Sequence, residues 1–547
     1  MKMKTVIPHE LNDLLMKQAK SKQNTKSADA AGKPVETKPA EQVHGTEGNK
    51  GSGESQSPRE RRRNGKRHGT GKSSVTGGFQ NCKADESGGV ANASYIPDFD
   101  IILGQGVHFS RDDYRTKLNN HVCVVGTSGA GKTRSIVKPN LLQAMGSYVV
   151  SDPKGNLSKE LGPYLEKKGY EVVRMDFIHP ENSIGYNPLD YCRTTQDIQQ
   201  LAHMLVYELG YGNERKGSND PFWDETAQML LMSLISYIKE ADEVPDEEKT
   251  LSFIPELIRQ CGKTDKPSSI NDHTRARSLL DARMDALRLK CELEGVNSWA
   301  VNRFDDFSTT PPKTFNTIVI CSLAKLASFD TVEIRKMLTG KCFDFRKVGQ
   351  KPMAVFVVVS DTDRSMDILV NLFYSQLMNE LCRYADEECK ENRLPVPVQF
   401  ILDDFATNAR IGNFQNIISN IRSRGISTMI MLQSEAQLRA YYGDDSQTII
   451  DNCNTYVYMG GSNPEQARIV GKRANKMENT ILNMPIGKSW VFRRGCEPIL
   501  CDNFDLEAFQ KAKGLVKDEP ATLDSAVPEQ TTPEPEIPDP EIEGHTA

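Results

Sequence analysis

The segment Gly126-Thr-Ser-Gly-Ala-Gly131-Lys132-Thr133 constrains the fold of this chain more than any other feature. It fits the pattern G-x-x-x-x-G-K-[ST], and it lies between an apolar run typical of a short buried strand, 121–125, and a helical stretch, 133–144. Glycines let the backbone curl so that consecutive N–H groups point at an anion, and the helix N-terminus adds its dipole. The pattern therefore predicts a strand–loop–helix unit that holds a nucleoside triphosphate.

Each residue of this phosphate loop has an expected part in the site. Lys132 can reach the β- and γ-phosphates, and Thr133 can hold Mg²⁺. The predicted nucleotide contacts come from Gly126, Thr127, Ser128, Gly129, Ala130, Gly131, Lys132 and Thr133.

Strand-like and helix-like segments alternate along most of the chain. Apolar strand signals recur at 147–152 and 170–176, vanish from about 192 to 312, and resume at 353–359. The alternation predicts an α/β nucleotide-binding domain, and the strand-free block predicts an inserted all-helical domain. The nucleotide-binding domain would then comprise 95–191 and 313–510, with the helical domain at 192–312.

The two ends of the chain differ in composition from the middle. Residues 1–94 are mostly polar and contain a basic run at 59–72, whereas the nine Asp and Glu residues beyond Lys517 face no Lys or Arg. Such segments cannot bury enough apolar surface to fold, so both 1–94 and 511–547 are expected to be disordered tails. The basic run could contact nucleic acid or an anionic lipid surface, or it could be an ordinary solvated tail.

The overall composition points to no partner. The net charge is only −6, and no run approaches the 18 apolar residues that a membrane helix requires. If the protein works at a membrane, a partner or a lost segment has to bring it there. We therefore expect a cytoplasmic protein recruited to the inner face of the cell membrane.

A second set of polar residues follows the apolar strands of the second half. The predicted strand 398–402 ends in Asp403 and Asp404, and the predicted strand 428–432 ends in Gln433. A phosphate loop requires a carboxylate at the end of a neighbouring strand, so we assign Asp403 to the Mg²⁺ shell and Asp404 to the attacking water. Gln433 would emerge at the same edge of a parallel sheet, within reach of the γ-phosphate.

Two arginines precede the strand that ends in Gln433. Arg422 and Arg424 close a predicted helix, where cations favour the helix C-terminus. Either could also act as an arginine finger on the ATP of a neighbouring subunit.

Taken together, these motifs resemble those of a known family. The phosphate loop is followed in order by Ser151-Asp-Pro-Lys-Gly155, Tyr186-Asn-Pro188, Asp220-Pro-Phe-Trp223, Ser360-Asp-Thr-Asp-Arg364, Leu402-Asp-Asp-Phe-Ala406, Ile421-Arg-Ser-Arg424, Leu432-Gln-Ser434 and Gly460-Gly461. The series is similar to that of the type IV secretion coupling proteins of the TraG/TraD kind, over residues 95–505.

The resemblance implies a RecA-like fold with an inserted helical domain, related to the FtsK and HerA DNA pumps. It also implies a homo-hexameric ring that uses ATP and Mg²⁺ to deliver relaxase-bound single-stranded DNA to the channel proteins of a conjugation system. In the family pattern, Asp404 takes the position of the catalytic base, Gln433 that of the γ-phosphate sensor and Arg422 that of the arginine finger.

The sequence departs from the family pattern in two respects. Family members usually carry Glu at the position of Asp404, and they usually begin with membrane-spanning helices. Because Asp is shorter than Glu, one alternative function is a nucleotide-gated adaptor that hardly hydrolyses ATP. A second alternative is a DNA translocase that works outside conjugation. The second departure leaves room for a separate membrane-anchoring partner.

Overall fold

The computed structural model describes residues 100–207, 221–262, 277–405 and 411–515. The tail predicted over 1–94, with its basic run, lies outside these residues, as does the acidic segment beyond 515. Residues 511 and 512 do not belong to a tail, since they close the last described helix. In the described ranges, no helix is both long enough and apolar enough to cross a membrane.

A large, mostly parallel sheet forms the centre of the described molecule. Its strands lie in the order β11-β10-β9-β3-β8-β7-β4-β6-β5, and β10 runs antiparallel to both of its neighbours, β9 and β11, whereas the other pairs of the sheet are parallel. The strands are β3 (Val122–Val125), β4 (Ser147–Ser151), β5 (Glu171–Asp176), β6 (Met353–Val358), β7 (Val398–Leu402), β8 (Ile426–Leu432), β9 (Thr455–Tyr458), β10 (Lys488–Arg493) and β11 (Ile499–Asp502).

The central strands are short apolar runs because both faces of the sheet are covered. Val122 and Val124 of β3 pack into one hydrophobic layer, whereas Cys123 and Val125 pack into the other. Parallel strands buried on both faces are typically continuous apolar runs, which explains why these strands were recognisable in the sequence.

Helices cover both faces of the sheet. Helix α2 (Lys138–Leu142) continues a π-helical turn at Thr133–Val137, so the helix predicted over 133–144 ends at Leu142. The helices of the sheet-bearing part are α1 (Asp113–Thr116), α2 (Lys138–Leu142), α3 (Asn156–Lys167), α11 (Lys347–Gln350), α12 (Asp367–Glu388), α13 (Phe414–Asn420), α14 (Glu435–Tyr442), α15 (Asp445–Asp451), α16 (Pro464–Ala474), α17 (Glu478–Leu482) and α18 (Leu506–Ala512).

The segment between β5 and β6 is helical in the described residues. It contains α4 (Thr195–Tyr207), α5 (Pro221–Glu240), α6 (Ile254–Cys261), α7 (Leu279–Glu294), α8 (Trp299–Ser308), α9 (Pro312–Lys325) and α10 (Val332–Thr339). Helix α9 packs against α5 and α6, and its Phe315 and Ile318 are buried in the same core. The helical region therefore continues past the predicted limit at 312, whereas the predicted limits after residues 94 and 191 remain predictions.

Two antiparallel pairs escaped the sequence analysis. Strands β1 (Asp100–Gly104) and β2 (Val107–Ser110) form a hairpin, and β10 with β11 extends the main sheet beyond β9. The second pair is functionally relevant, because the chain leaves β11 beside the phosphate loop.

Candidate nucleotide site

The phosphate loop follows β3 at the carboxyl-terminal edge of the sheet. Gly129 and Gly131 have φ angles of +78° and +91°, a region that glycine adopts without steric cost. The Ala130 N–H donates to Thr127 O over 3.1 Å, which closes the turn, and the Ser135 N–H donates to Gly131 O over 2.8 Å as the helix begins. The loop therefore has the tight curl that the spacing of its glycines predicts.

Lys132 lies under this loop. Its Nζ donates to the carbonyl oxygens of Gly126, over 2.7 Å, and Thr127, over 3.3 Å. Burial lowers the pKa of Lys132, and the nearby carboxylates of Asp404 and Asp403 oppose that shift. The ammonium group is thus held between the loop and the two acids, where a phosphate chain would meet it.

Thr133 and Asp403, which are 270 positions apart in the chain, join the two halves of the site. The hydroxyl of Thr133 donates to Asp403 Oδ2 over 2.7 Å, and the Asp404 N–H donates to Oδ1 over 3.1 Å. Burial raises the pKa of Asp403. A threonine hydroxyl beside a buried carboxylate is the kind of oxygen donor set that Mg²⁺ takes from a protein while it keeps several waters, so these two residues fit the metal assigned to them.

The strand that bears Asp403 is not a direct neighbour of β3, contrary to the sequence-based expectation. Strand β8 lies between β3 and β7 and pairs in parallel with both. The Gly126 N–H donates to Leu432 O over 3.0 Å, so the first glycine of the loop is bonded to the residue just before Gln433. Gln433 therefore emerges between the phosphate loop and the acids, with its Oε1 accepting a bond from Gln437 Nε2 over 3.3 Å.

Asp404 is half-buried and has a left-handed backbone, with φ at +49°. Asp and Asn adopt this conformation at less cost than longer residues do, because their short polar side chains can bond locally. The next residue is bonded to strand β8 again, since the Phe405 N–H donates to Met431 O over 3.0 Å. The position of Asp404 beside Asp403 suits a group that accepts a proton from water near the γ-phosphate.

Arg422 lies far from the other predicted site residues. It precedes β8, whereas Gln433 follows it, and the seven residues of the strand span about 20 Å. Its Nη2 donates to the Asp113 carbonyl oxygen over 3.1 Å, at the amino-terminal edge of the sheet. Arg422 cannot reach a nucleotide in its own subunit, so the predicted finger role requires a second copy.

Asn503 is a loop contact that the sequence analysis missed. It follows β11, and its Nδ2 donates to Ala130 O over 3.3 Å, while its Oδ1 accepts from Ser489 Oγ over 2.5 Å. On the opposite side the Thr127 N–H donates to Gly460 O over 3.2 Å. No short motif marks Asn503, because its position depends on the β10–β11 pair.

The chain is similar to known proteins of conjugative DNA transfer. A family model described as "Type IV secretory system Conjugative DNA transfer" matches residues 79–477. Conjugal transfer protein TraG of Escherichia coli is 24% identical over 358 residues, which is 61% of this chain and 52% of that protein. Protein VirD4 of Rhizobium radiobacter is 23% identical over 364 residues, 64% of this chain and 47% of that protein. The chain thus spans about half the length of these curated relatives.

Solved structures of the plasmid coupling protein TrwB share the fold. The complex of TrwB with the ATP analogue ADPNP superposes with a TM-score of 0.54 at 16% identity, covering 75% of this chain and 90% of that chain. The complex with ADP and Mg²⁺ gives a TM-score of 0.52 at 16% identity, with 75% and 90% coverage. The likeness confirms the predicted RecA-like fold with its helical insertion.

Proposed function

This chain belongs to the type IV secretory system family of conjugative DNA transfer proteins, and from that membership we propose that it is an ATP-driven coupling protein. It would hydrolyse ATP to deliver relaxase-bound single-stranded DNA to the channel proteins of a conjugation system. Its working form would be a homo-hexamer at the inner face of the cell membrane, with a separate membrane-anchoring partner as one means of recruitment.

The bond between Thr133 and Asp403 is the observation that carries this proposal. It brings the phosphate loop and the acid pair into one site, although 270 positions separate them. The TrwB complexes with ADPNP and with ADP and Mg²⁺ support ATP and Mg²⁺ as the ligands. Thr133 and Asp403 would hold Mg²⁺, which neutralises part of the phosphate charge when bound.

The residues of the site suit phosphoryl transfer to water. Gln433 would orient a water whose oxygen bonds to the γ-phosphorus, while the bond from that phosphorus to the β–γ bridging oxygen breaks and ADP leaves. The proton of the water would pass to Asp404, and Lys132 would offset the charge on the phosphate oxygens. The position of these side chains at one edge of the sheet supports these roles.

A nucleotide-gated adaptor is the second candidate function. The observation that favours it is Asp404 itself, since Asp is one methylene shorter than the Glu expected at this position. In that case the chain would bind ATP and cargo with little turnover. A DNA translocase outside conjugation would have the same site but would not associate with a relaxase.

ATP hydrolysis by the purified full chain, with and without single-stranded DNA, tests the proposal. We expect DNA to stimulate turnover, Lys132→Ala to abolish it, and Lys167→Ala, at an exposed position in the last turn of α3, to preserve it. Conjugative transfer of a plasmid should likewise be abolished by Lys132→Ala and preserved by Lys167→Ala. Full transfer supported by Lys132→Ala would contradict the motor, and tight ATP binding without DNA-responsive turnover would favour the adaptor.

A further inference from the structure

The first turn of α14, which follows Gln433 in the chain, carries a buried carboxylate. Glu435 is 5% exposed, begins the helix two residues after Gln433 and has no part in the chemistry described above. A buried charge costs stability unless other groups bond to it. The partners of Glu435 therefore show what holds the start of α14 in place.

Two buried side chains from outside α14 bond to Glu435. Tyr456, in β9, donates its hydroxyl to Oε1 over 2.7 Å, and Gln466, in α16, donates Nε2 to the same oxygen over 3.3 Å. Nε2 of Gln466 also donates to the Tyr456 hydroxyl over 2.9 Å, and Oε1 of Gln466 accepts from the Glu435 N–H over 3.0 Å. Burial, reinforced by Glu435, raises the pKa of Tyr456, so the phenol keeps its proton and donates. The three side chains thus form one closed network.

Arg473 joins this network from the last turn of α16. Its Nη2 lies 3.8 Å from Glu435 Oε1, and its guanidinium lies 4.1 Å from the centre of the Tyr456 ring. Apolar side chains of similar volume often stabilise a fold as well as a buried charged network does. A fully bonded polar network, by contrast, specifies one arrangement of the elements that it joins. The arrangement of α14 against α16 is therefore the feature that this network explains best.

Both helices are also linked to the nucleotide site. The turn between β9 and α16 contains Gly460, whose carbonyl oxygen accepts from the Thr127 N–H of the phosphate loop over 3.2 Å. The first turn of α14 holds Gln433, because Gln437 Nε2 donates to Gln433 Oε1 over 3.3 Å. The phosphate loop and Gln433 are thus connected through α16 and α14, and Glu435 is where the two helices are bonded to each other.

We propose that Glu435 is a positioning residue for ATP hydrolysis. Together with Gln466 and Tyr456, it holds the start of α14 so that Gln433 faces the γ-phosphate of a nucleotide in the phosphate loop. Glu435 acts through Gln433 and takes no part in the chemistry itself. The inference rests on the proposed ATPase function and deepens it, because it names the contacts that set the orientation of Gln433.

Turnover and ATP affinity of the full chain test this assignment. Glu435→Ala should lower kcat about tenfold, because Gln433 is then misplaced, while the affinity for ATP stays within about twofold. Glu435→Gln keeps an oxygen that can accept from Tyr456 and Gln466, so its kcat should lie within about threefold of wild type. An unchanged kcat in Glu435→Ala, or equal losses in Glu435→Ala and Glu435→Gln, would overturn the proposal.

A double-mutant cycle shows whether Glu435 acts through Gln433. In the Gln433→Ala background, Glu435→Ala should lower kcat by less than about twofold more, because no glutamine is left to position. A further loss of about tenfold would overturn the proposal, since Glu435 would then affect turnover by another route.

Two further variants separate positioning from general damage. Tyr456→Phe removes one hydroxyl from the network and keeps the ring, so it should fold and lower kcat about threefold. Glu380, in α12, is also a buried glutamate, bonded to Arg193 and Arg346, and Glu380→Ala should lower the Tm without changing kcat. Equal losses of kcat in Glu380→Ala and Glu435→Ala would overturn the proposal. If Glu435→Ala does not fold, an unchanged kcat in Tyr456→Phe would overturn it instead.

The two proposals fail in different ways. Wild-type protein that binds ATP and never hydrolyses it would refute the motor function, and this inference with it. Active wild-type protein whose Glu435→Ala variant keeps the wild-type kcat would refute only the positioning role.

Discussion

The backbone N–H of Thr428 in β8 donates a hydrogen bond to Nδ1 of His121, just before β3, over 3.0 Å. An imidazole nitrogen can accept this bond only while it carries no proton. His121 is 1% exposed, and burial, reinforced by the charge of Arg422, lowers its pKa to about 3. The two strands are therefore tied together at the amino-terminal edge of the sheet by a neutral histidine.

We expect this histidine to make the fold sensitive to acid. Its folded-state pKa lies below the unfolded value of about 6.5, so its contribution to stability is present above that pH and is lost as the pH falls towards about 3. As the pH falls, the free energy of unfolding should decrease in both the wild type and His121→Gln. The slope should be steeper in the wild type, by up to about 1.4 kcal/mol per pH unit. Denaturant melts at several pH values measure this, and His179→Gln, at an exposed position, should keep the wild-type slope.

Asp403→Asn should raise the stability of the nucleotide-free protein and impair nucleotide binding. Because burial raises the pKa of Asp403, its ionised form costs stability, and that cost appears as the pH rises above the unfolded value of about 3.9. The Tm of Asp403→Asn minus that of wild type should thus become more positive as the pH rises above about 4. Calorimetry without nucleotide tests this, and a difference independent of pH would contradict it. The variant should also lose stabilisation by Mg²⁺ with ATP.

Asp404→Glu should not improve turnover. The left-handed backbone at position 404, with φ at +49°, suits Asp better than Glu, so the variant should lose about 1 kcal/mol of stability. We expect kcat to fall, measured in the DNA-stimulated assay. A gain of tenfold or more would instead identify the native chain as a slow, nucleotide-gated adaptor. Asp404→Asn is the control that keeps the backbone preference and removes the carboxylate.

Gln433→Ala should leave ATP binding intact and lower kcat about 100-fold, as the loss of one preorganised polar group at a reacting centre does. Gln437→Ala removes only the residue that donates to Gln433 Oε1, so its effect should be several-fold at most. Stopped-flow binding of a fluorescent ATP analogue, together with steady-state turnover, separates the two effects. Equal losses in both variants would assign Gln433 a structural role.

Asn503→Ala should weaken nucleotide binding without altering the chemistry. Its Nδ2 bonds the Ala130 carbonyl and so holds the phosphate loop from one side, a contact whose loss costs about 1 kcal/mol, or about fivefold in affinity. Titration with ATP should show that rise in KM with kcat nearly unchanged. Asn479→Ala, exposed in α17, should match wild type, and a lower kcat with constant KM would contradict the assignment.

The sequence was most informative where local composition decides structure. The glycines of the phosphate loop, the fully apolar runs of β3 and β6 and the mostly apolar run of β7 predict their own conformations, since a parallel strand buried on both faces is typically a continuous apolar run. The acid pair could be assigned for the same reason, because it ends such a run. Gln433 could be placed at the same edge once a parallel sheet was assumed.

What the sequence did not predict depends on contacts between distant segments. Nothing in the chain order places β8 between β3 and β7, and the β10–β11 pair mixes exposed and buried residues too irregularly for recognition. Asn503 was missed with that pair. The chemical roles assigned to the predicted site residues remain predictions.

The position of β3 between β8 and β9 has a consequence for how the chain folds. β3 ends at Val125, yet both strands that flank it begin some 300 residues later, and closing such long loops makes pairing slow. During synthesis the helical insertion can pack first, while β3 stays unpaired until β8 and β9 have been made. Nucleotide binding should then appear only when the sheet is complete, so ATP binding reports that folding is finished. Until that point, the unpaired β3 is exposed to aggregation.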